Sequence, residues 1–434
     1  MKRISLLALL AALAALPAAW AQNPIVLESG QGVDSRTPIA VPPFVAAPGQ
    51  EALAQEMAEA IRYDLEFTGL FNILSPTQYP PGFTGLAADV SQLVLDAWRQ
   101  TPAEFLVYGL VTKEGDSIVA QFRLFDILSA QQVVGQELRA GGGYPRLVAH
   151  RFSEEVVRHL EGTPGIATSE IAFSVGSSGK KEIYVADYDG KNIRQVTKHN
   201  SISIMPEMSP DGNKIAYISY KDRYAFVYIF DRRTGTSTLF SKEVGLNTAP
   251  VWSPDGSTIA MTLSKDANTE IYLKDVASGS LRRLTNNRFG DTSPTYSPDG
   301  RQIAFVSDRG GNAQIFAMDV NGGSERRLST QGGSSYDPTW SPDGKSIAYV
   351  VEKGGEGMEI YVMNADGSGA RRMTNSSGTN EGPSWSADSR HVIFSSSREG
   401  APTLWAVNVA TGENRRIPGV PSASQGPSWG PRRN

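Results

Sequence analysis

The sequence predicts an α/β N-terminal domain followed by an all-β six-bladed β-propeller with end-to-end strand closure. Three observations support this prediction. A proline-led motif recurs six times after residue 200, and the segment before residue 162 mixes helical with strand periodicity. One repeat is also divided between the two ends of the repetitive region, which indicates that a ring is closed by joining those ends.

The first residues have the features of a secretory signal peptide. Lys2 and Arg3 precede an apolar run over residues 4–16, and residues 19–21 have the small-x-small form of a cleavage site. The run is shorter than the roughly 20 residues that span a bilayer, so a membrane anchor is the less favoured alternative. We therefore expect residues 1–21 to be removed, leaving Gln22 at the start of a periplasmic or secreted protein.

Composition narrows the possible chemistry. The 434 residues include no cysteine, which excludes disulfides, thiolate metal sites and cysteine nucleophiles. The net charge of −4, or −6 without the two basic residues of the leader, argues against nucleic acid as the main partner. No later stretch reaches 18 consecutive apolar residues, so direct membrane insertion is not expected.

Residues 22–36 lack periodicity and are predicted to form a flexible tail, although an edge strand of the next domain is an equally open alternative. Residues 37–162 are predicted to form a small α/β domain. Leu53, Met57, Ala60, Ile61 and Leu65 fall on one helical face, and Val148, Phe152, Val156 and Leu160 fall on another. Alternating apolar residues at 105–111 and 118–124 predict two strands. Residues 162–165, Gly-Thr-Pro-Gly, are the expected hinge to the propeller.

The repeat unit has the form x-Pro-x-Trp-Ser-Pro-Asp-Gly. Its leading prolines are Pro206, Pro250, Pro294, Pro338, Pro383 and Pro427. Their spacing of 44 or 45 residues is typical of four-stranded propeller blades. The Ser-Pro-Asp-Gly corner is predicted to join the first and second strands of each blade, because proline fixes φ and glycine permits φ > 0.

The ends of the repetitive region predict how the ring closes. The first unit starts at its second strand, residues 170–174, whereas residues 425–429 form a first strand with nothing behind it. The two fragments complete one blade, so the propeller is predicted over residues 166–430. Arg432 and Arg433 stand where other copies have Asp and Gly, as expected where no hairpin follows.

Paired arginines occur in four of the predicted fourth strands. The pairs are Arg282-Arg283, Arg326-Arg327, Arg371-Arg372 and Arg415-Arg416. They could form an anion-binding ladder, but charged side chains on an outer strand also discourage edge-to-edge pairing. We interpret them as edge charges.

One segment matches a catalytic template. Residues 426–430, Gly-Pro-Ser-Trp-Gly, have the spacing of a nucleophile elbow around Ser428. Only four residues follow, all four histidines lie upstream, and Ser428 occupies an ordinary repeat position, so we expect no catalysis there. No metal-ligand or phosphate-loop motif is present, and no cofactor or metal is expected. A propeller enzyme and a carbohydrate or peptidoglycan binder remain the alternative functions.

The signal peptide, the small α/β domain and the six Trp-Ser-Pro-Asp-Gly units together resemble the TolB family of the Tol-Pal system. The resemblance implies a non-catalytic, monomeric periplasmic scaffold that binds the peptidoglycan-associated lipoprotein Pal through the propeller and TolA through the N-terminal tail. It also implies a role in outer-membrane integrity and in constriction at cell division. Some bacteriocins use the Pal site in this family.

The resemblance also suggests binding residues. For TolA these are Gln22, Ile25, Val26, Leu27, Glu28, Ser29 and Val33. For Pal, which docks near the channel entrance in the family, we select residues preceding the repeat prolines: Met205, Leu246, Thr248, Ala249, Thr292, Ser293, Tyr336, Asp337, Asn380 and Glu381. The family often has His at the position of Leu246, so we expect that one family contact is absent here.

Overall fold

The structure is a computed structural model that describes residues 36–83, 85–86, 92–141, 144–355, 357–375 and 378–433. The predicted signal peptide and the predicted tail up to residue 35 lie outside the described residues. Among the helices that are described, none is both long enough and apolar enough to cross a membrane. The predicted fold class is confirmed, with an α/β domain preceding six four-stranded sheets.

The N-terminal domain is a mixed sheet with helices packed on it. Its elements are β1 (Thr37–Ala40), β2 (Val45–Ala46), α1 (Glu51–Phe67), β3 (Phe71–Ile73), a 3-10 turn (Pro76–Gln78), α2 (Gln92–Trp98), β4 (Phe105–Glu114), β5 (Ser117–Asp126), β6 (Gln131–Gly141) and α3 (Pro145–Glu161). The strand order is β3-β1-β4-β5-β6, with β2 beside β4. Strand β1 runs parallel to both of its neighbours. Periodicity did not predict α2 or β6.

Helices α1 and α3 form because each carries an apolar stripe that the sheet covers. Met57 and Ile61 on α1 and Phe152 on α3 are fully buried, in the positions that the helical period predicts. Phe152 stacks on Phe122 of β5 with ring centroids 4.9 Å apart. Helix α3 ends at Glu161 and is followed by Gly162, whose φ of 75° is the left-handed conformation common after a helix.

The propeller consists of six antiparallel sheets, which we call blades 1–6. The strands of each blade are given from the innermost to the outermost, and blade 1, which combines strands from both ends of the propeller region, is described last. Blade 2 contains β10 (Ser203–Met208), β11 (Lys214–Ser219), β12 (Phe226–Asp231) and β13 (Thr236–Ser241). Blade 3 contains β14 (Asn247–Trp252), β15 (Thr258–Asp266), β16 (Asn268–Asp275) and β17 (Leu281–Arg283). Blade 4 contains β18 (Asp291–Tyr296), β19 (Gln302–Gly310), β20 (Asn312–Asp319) and β21 (Arg326–Arg327).

The remaining blades follow the same plan. Blade 5 contains β22 (Ser334–Trp340), β23 (Ser346–Lys353), β24 (Gly357–Asn364) and β25 (Arg371–Arg372). Blade 6 contains β26 (Asn380–Trp385), β27 (His391–Ser396), β28 (Thr403–Asn408) and β29 (Asn414–Arg416). Blade 1 combines β30 (Ser424–Arg432) with β7 (Ser169–Ser177), β8 (Lys180–Asp187) and β9 (Arg194–Gln195).

Because the strands of a blade alternate in direction, their connections alternate between two faces of the ring. The Ser-Pro-Asp-Gly corners and the turns between third and fourth strands lie on one face, which we call the corner face. The entries into the inner strands and the turns between second and third strands lie on the opposite face, the mouth face. Each corner is held by a serine hydroxyl that donates to the aspartate two residues later, at 2.6 Å for Ser297 and Asp299.

The arginine pairs lie on outer strands, as predicted, but their side chains also join the blades. In three of the four pairs the first arginine donates to a carbonyl in the next blade: Arg282 to Val320 at 3.1 Å, Arg326 to Ala365 at 3.2 Å and Arg371 to Val409. In two pairs the second arginine forms an ion pair with a buried glutamate of its own blade, Arg283 with Glu270 at 3.0 Å and Arg372 with Glu359 at 2.7 Å. Interpreting them only as edge charges missed this role.

Ring closure involves more residues than the sequence predicted. Strand β30 pairs with β7 from Ser424 opposite Val175 to Arg432 opposite Ser169, two residues beyond the predicted end at 430. Arg432 donates to the backbone carbonyls of residues 164 and 165. Arg433 donates to the Thr168 carbonyl at 2.8 Å. The two arginines therefore fasten the C-terminus to the start of blade 1.

The N-terminal domain packs on the corner face of blades 1 and 6. Phe67, at the end of α1, is 3% exposed and inserts between the two blades. Its ring centroid lies 5.2 Å from that of Tyr188 in blade 1 and 4.7 Å from that of His391 in blade 6. The mouth face is therefore on the side of the propeller away from this interface.

Candidate functional site

The inner strands of the six blades surround a central cavity of about 330 Å³. Every blade contributes the repeat proline and residues beside it. The lining includes Met205–Glu207, Ala249–Val251, Ser293–Thr295, Asp337–Thr339, Glu381–Ser384 and Gln425–Pro427. None of the four histidines, all of which the structure describes, is in this lining. The cavity thus brings together the residues beside the repeat prolines, which differ from one copy of the repeat to the next.

The residue before each repeat proline has a left-handed backbone conformation in all six blades. These residues are Met205 (φ 50°), Ala249 (φ 48°), Ser293 (φ 49°), Asp337 (φ 47°), Gly382 (φ 60°) and Gly426 (φ 57°). The pairing between first and second strands shifts register at the same point in each blade. This is a β-bulge, which bends the inner strand at the cavity wall. Glycine in two copies was the sequence signal that could have revealed it.

We expect Gly382→Ala to lower the free energy of unfolding by about 1–2 kcal/mol, because the left-handed conformation is costly for residues with a Cβ atom. An added Cβ would lie 3.5 Å from its nearest neighbour, so a clash is not the cause. The reverse change, Ala249→Gly, should be nearly neutral, since relief of strain offsets the added freedom of the unfolded chain. Urea unfolding midpoints measure both effects.

Gly332→Ala is the matched control, because an added Cβ there has nothing within 4 Å and the residue does not have a positive φ. It should leave stability unchanged or slightly higher. Equal losses in Gly332→Ala and Gly382→Ala would contradict the conformational explanation.

Three residues with carboxyl groups line the cavity, together with one lysine, Lys181. Burial raises the pKa of Glu207 to about 7, although the Ser428 hydroxyl donates to it and opposes the shift. Burial and the nearby charge of Glu381 raise the pKa of Asp337 to about 6, against a hydrogen bond from Ser293. Glu207 was missed by sequence reasoning, although it is the one charged residue at a repeat position otherwise occupied by Val, Thr or Ser. Cavity charge therefore changes near neutral pH.

The mouth face also carries exposed apolar side chains, which we call the mouth patch: Met205 (46% exposed), Tyr220 (39%), Tyr224 (67%), Val244 (82%) and Leu246 (38%). They belong to blade 2 and to its connection with blade 3. Tyr220 and Tyr224 flank the turn between β11 and β12, while Val244 and Leu246 precede β14. Eight large apolar residues are strongly exposed in the described part of the chain, and five are in this patch.

Nine of the ten residues predicted for Pal binding occupy three kinds of position. Met205, Ala249, Ser293, Asp337 and Glu381 line the cavity. Leu246 lies in the mouth patch outside the cavity. Thr248, Thr292 and Tyr336 are half-buried within inner strands, opposite Thr262, Val306 and Val350. Tyr220, Tyr224 and Val244 were not predicted, although two tyrosines in a turn that is polar in other copies were a usable signal.

Asn380 needs a correction. Its side chain is fully buried, and its amide donates to the Met358 carbonyl and to Glu359, both at 3.1 Å. Its Oδ1 accepts a hydrogen bond from Arg398 at 3.0 Å. The residue therefore holds blades 5 and 6 in place and offers no surface to a partner.

Ser428 lies in a β-strand, not on the strand-to-helix turn that a nucleophile elbow requires. It is 2% exposed, and its Oγ accepts a hydrogen bond from the Met208 backbone N–H at 3.1 Å. This environment fits the expectation that Ser428 is a repeat residue. The seven residues predicted to bind TolA, from Gln22 to Val33, lie outside the described residues.

Fold and site together define a two-domain propeller protein with an exposed apolar patch on the mouth face and a central cavity lined by ionisable groups. The family model described as the TolB beta propeller domain matches residues 157–433, and the model described as the TolB amino-terminal domain matches residues 26–133. The chain belongs to the TolB family.

Two curated relatives and one solved structure give the degree of similarity. The Tol-Pal system protein TolB of Desulfosudis oleivorans is 38% identical over 217 residues, which are 49% of each chain. That of Cereibacter sphaeroides is 36% identical over 225 residues, 50% of each chain. The chain thus spans about half the length of these relatives. The crystal structure of TolB from Acinetobacter baumannii superposes with a TM-score of 0.79 at 26% identity, covering 91% of this chain and 96% of that one.

Proposed function

We propose that this chain is a non-catalytic periplasmic scaffold of the Tol-Pal system, which binds Pal on the mouth face of the propeller and TolA through the N-terminal tail. In this role it supports outer-membrane integrity and constriction at cell division. The observation that carries the proposal is the mouth patch, five exposed apolar residues on the mouth face, of which Met205 also lines the central cavity. The names of the relatives, Tol-Pal system protein TolB, supply the system.

The mouth patch has the composition of a protein-binding surface. Tyrosine and methionine are enriched in the cores of protein interfaces, where a few large side chains carry most of the binding energy. Tyr224 and Val244 are among the most exposed apolar residues of the described chain, so they cost solvation free energy when no partner covers them. The carboxyl groups of the adjacent cavity favour a partner segment that carries positive charge or donates hydrogen bonds.

We expect the double variant Tyr224→Ser/Val244→Ser to weaken binding of soluble Pal at least tenfold, measured by isothermal titration calorimetry. The physical reason is the loss of buried apolar area, and a tenfold change corresponds to about 1.4 kcal/mol. Leu128→Ser is the matched control, because Leu128 is 84% exposed but lies in the N-terminal domain. Unchanged Pal affinity in the double variant would exclude the mouth patch as the binding surface.

The same preparations separate the two partners. Deletion of residues 22–33 should abolish TolA binding and leave Pal affinity nearly unchanged, whereas the mouth-patch variant should show the reverse pattern. Loss of both partners in the deletion would contradict the proposed division of binding between tail and propeller.

A further inference from the structure

A buried histidine joins the N-terminal domain to the propeller. His150 on α3 is fully buried, and its Nδ1 lies 2.8 Å and 3.0 Å from the two carboxylate oxygens of Asp64 on α1. Its Nε2 faces the propeller, 3.8 Å from Oδ2 of Asp189 in the β8–β9 turn, and has no hydrogen-bond partner among the described atoms. The imidazole thus lies between one carboxylate of each domain.

The groups around this imidazole come from four parts of the chain. Helix α1 contributes Tyr63 beside Asp64, and Glu56, which lies 3.8 Å from Arg146. Helix α3 contributes Arg146, whose guanidinium is paired with Asp189. The propeller contributes Asp187, Asp189 and Tyr188, whose hydroxyl donates to Asp64 at 2.7 Å. The C-terminus contributes Arg433, which pairs with Asp187 at 2.8 Å.

One negative charge of this group is not compensated by an arginine. Two carboxylates, Asp64 and Asp189, contact His150 or face it, and Arg146 neutralises one of them. Asp187 is already compensated by Arg433. Glu56 is partly exposed, and a proton on His150 makes the remaining, more buried members of the group neutral. The atoms of His150, Asp187 and Asp189 also lie within 4.8 Å of one another, but a divalent ion there would add two charges where one is needed.

The direction of the pKa shift of His150 agrees with this count of charges. Burial alone lowers the pKa of His150, but the carboxylates of Asp64 and Asp189 outweigh both burial and the charge of Arg146, so the pKa is raised above its ordinary value. Asp64, in the same domain as His150, is the larger cause of the rise, and Asp189 adds the part that depends on contact with the propeller.

We propose that His150 is a proton-controlled link between the two domains, in which the imidazolium holds Asp64 of the N-terminal domain and Asp189 of the propeller together. This inference goes beyond the proposed function and does not depend on Pal or TolA. A histidine with a raised pKa stabilises the contact fully below its unfolded value of about 6.5 and loses that contribution as pH rises through the folded value. The interface should therefore loosen on the alkaline side.

A second interface histidine responds in the opposite direction. Burial lowers the pKa of His391, against the charge of Asp388 and with those of Arg390 and Arg415. Its neutral ring packs on Phe67. Its contribution is therefore lost as pH falls below about 6.5, towards the lowered folded value. The acidic and alkaline limits of the interface thus belong to different residues and can be tested separately.

The first test is an NMR titration of the histidine side chains in the full chain. We expect His150 to titrate above its ordinary value, and Asp189→Asn to bring that pKa down because one carboxylate is removed. His159→Gln is the matched control, since His159 is exposed on the same helix. A neutral His150 below pH 6, or a pKa unaffected by Asp189→Asn, would overturn the proposal.

The second test measures the link itself. The chain has no cysteine, so Leu128→Cys in the N-terminal domain and Leu239→Cys on β13 allow two specific spin labels. We expect the distance distribution between them to broaden as pH rises through the His150 titration, with the midpoint shifted down in Asp189→Asn and the pH response lost in His150→Gln. The same response in His150→Gln would refute the link, as would stoichiometric Zn²⁺ binding at pH 7 that Asp189→Asn abolishes.

Discussion

Deletion of residues 424–434 is expected to prevent the propeller from closing, so that the remaining chain unfolds or aggregates. The deletion removes β30, the inner strand of blade 1, and leaves the hydrogen-bonding edge of β7 without its partner. An open, apolar inner edge both loses the core contacts of a whole strand and templates intermolecular pairing. Native stabilities of about 5–15 kcal/mol cannot absorb such a loss.

Trp429→Ala tests the same closure with a smaller change, because it removes one side chain of β30 and keeps the strand. Trp429 is 8% exposed, and its Nε1–H donates to the Ser169 hydroxyl at 2.8 Å across the closure. We expect the substitution to lower the free energy of unfolding by about 3–5 kcal/mol, as for other buried large-to-small changes. Urea unfolding followed by circular dichroism, with size-exclusion chromatography for the deletion, measures both. A monomeric, cooperatively folding deletion variant would contradict the role of β30.

Glu170→Ala should destabilise the protein by about 1–3 kcal/mol, because it leaves three half-buried arginines without the buried carboxylate that they contact. Glu170 on β7 is 2% exposed and accepts hydrogen bonds from three guanidinium groups. Arg194 belongs to its own blade, Arg232 at 2.6 Å to blade 2, and Arg433 at 3.2 Å to the C-terminus. One carboxylate thus joins blade 1 to blade 2 and to the C-terminal residue Arg433.

Two variants separate charge from packing at this position. Glu170→Gln keeps the size but removes the charge, so most of the loss should remain. Asp96→Ala breaks an ion pair with Arg99 in which both side chains are well exposed, and should cost no more than about 0.5 kcal/mol. A loss in Glu170→Ala as small as that in Asp96→Ala would show that the arginines find other partners.

Much of the fold was predictable because it depends on short-range patterns repeated many times. The 44-residue spacing, the Ser-Pro-Asp-Gly corner and the strand missing from the first unit together predicted six blades and the closure between β30 and β7. Within the N-terminal domain the apolar stripes of α1 and α3 were found as predicted. The parallel pairing of β1 with β3 and β4 was not predicted, because nothing in four residues specifies distant partners.

The candidate site was less predictable, since it depends on which side chains the ring brings together. The binding residues predicted before the repeat prolines have different surroundings in the structure, and their role in binding stays a prediction. Five of them line the cavity, whereas Asn380 turns inwards to bind Glu359. Most residues of the mouth patch lie in connections outside the repeat motif. The sequence does not show how exposed these side chains are, because that depends on how much of each connection the neighbouring blade covers.

The sequence by itself determined the repeat, the number of blades and the point of closure, because each follows from residues close together in the chain or from counting. Only the tertiary structure decided the left-handed residues at the cavity wall, the arginine bonds between blades and the buried group around His150. Asp64 and His150 are separated by 86 positions, and Asp189 lies in the other domain. The electrostatic interactions among these side chains act through space. The charge environment of His150 is therefore complete only when the two domains are in contact.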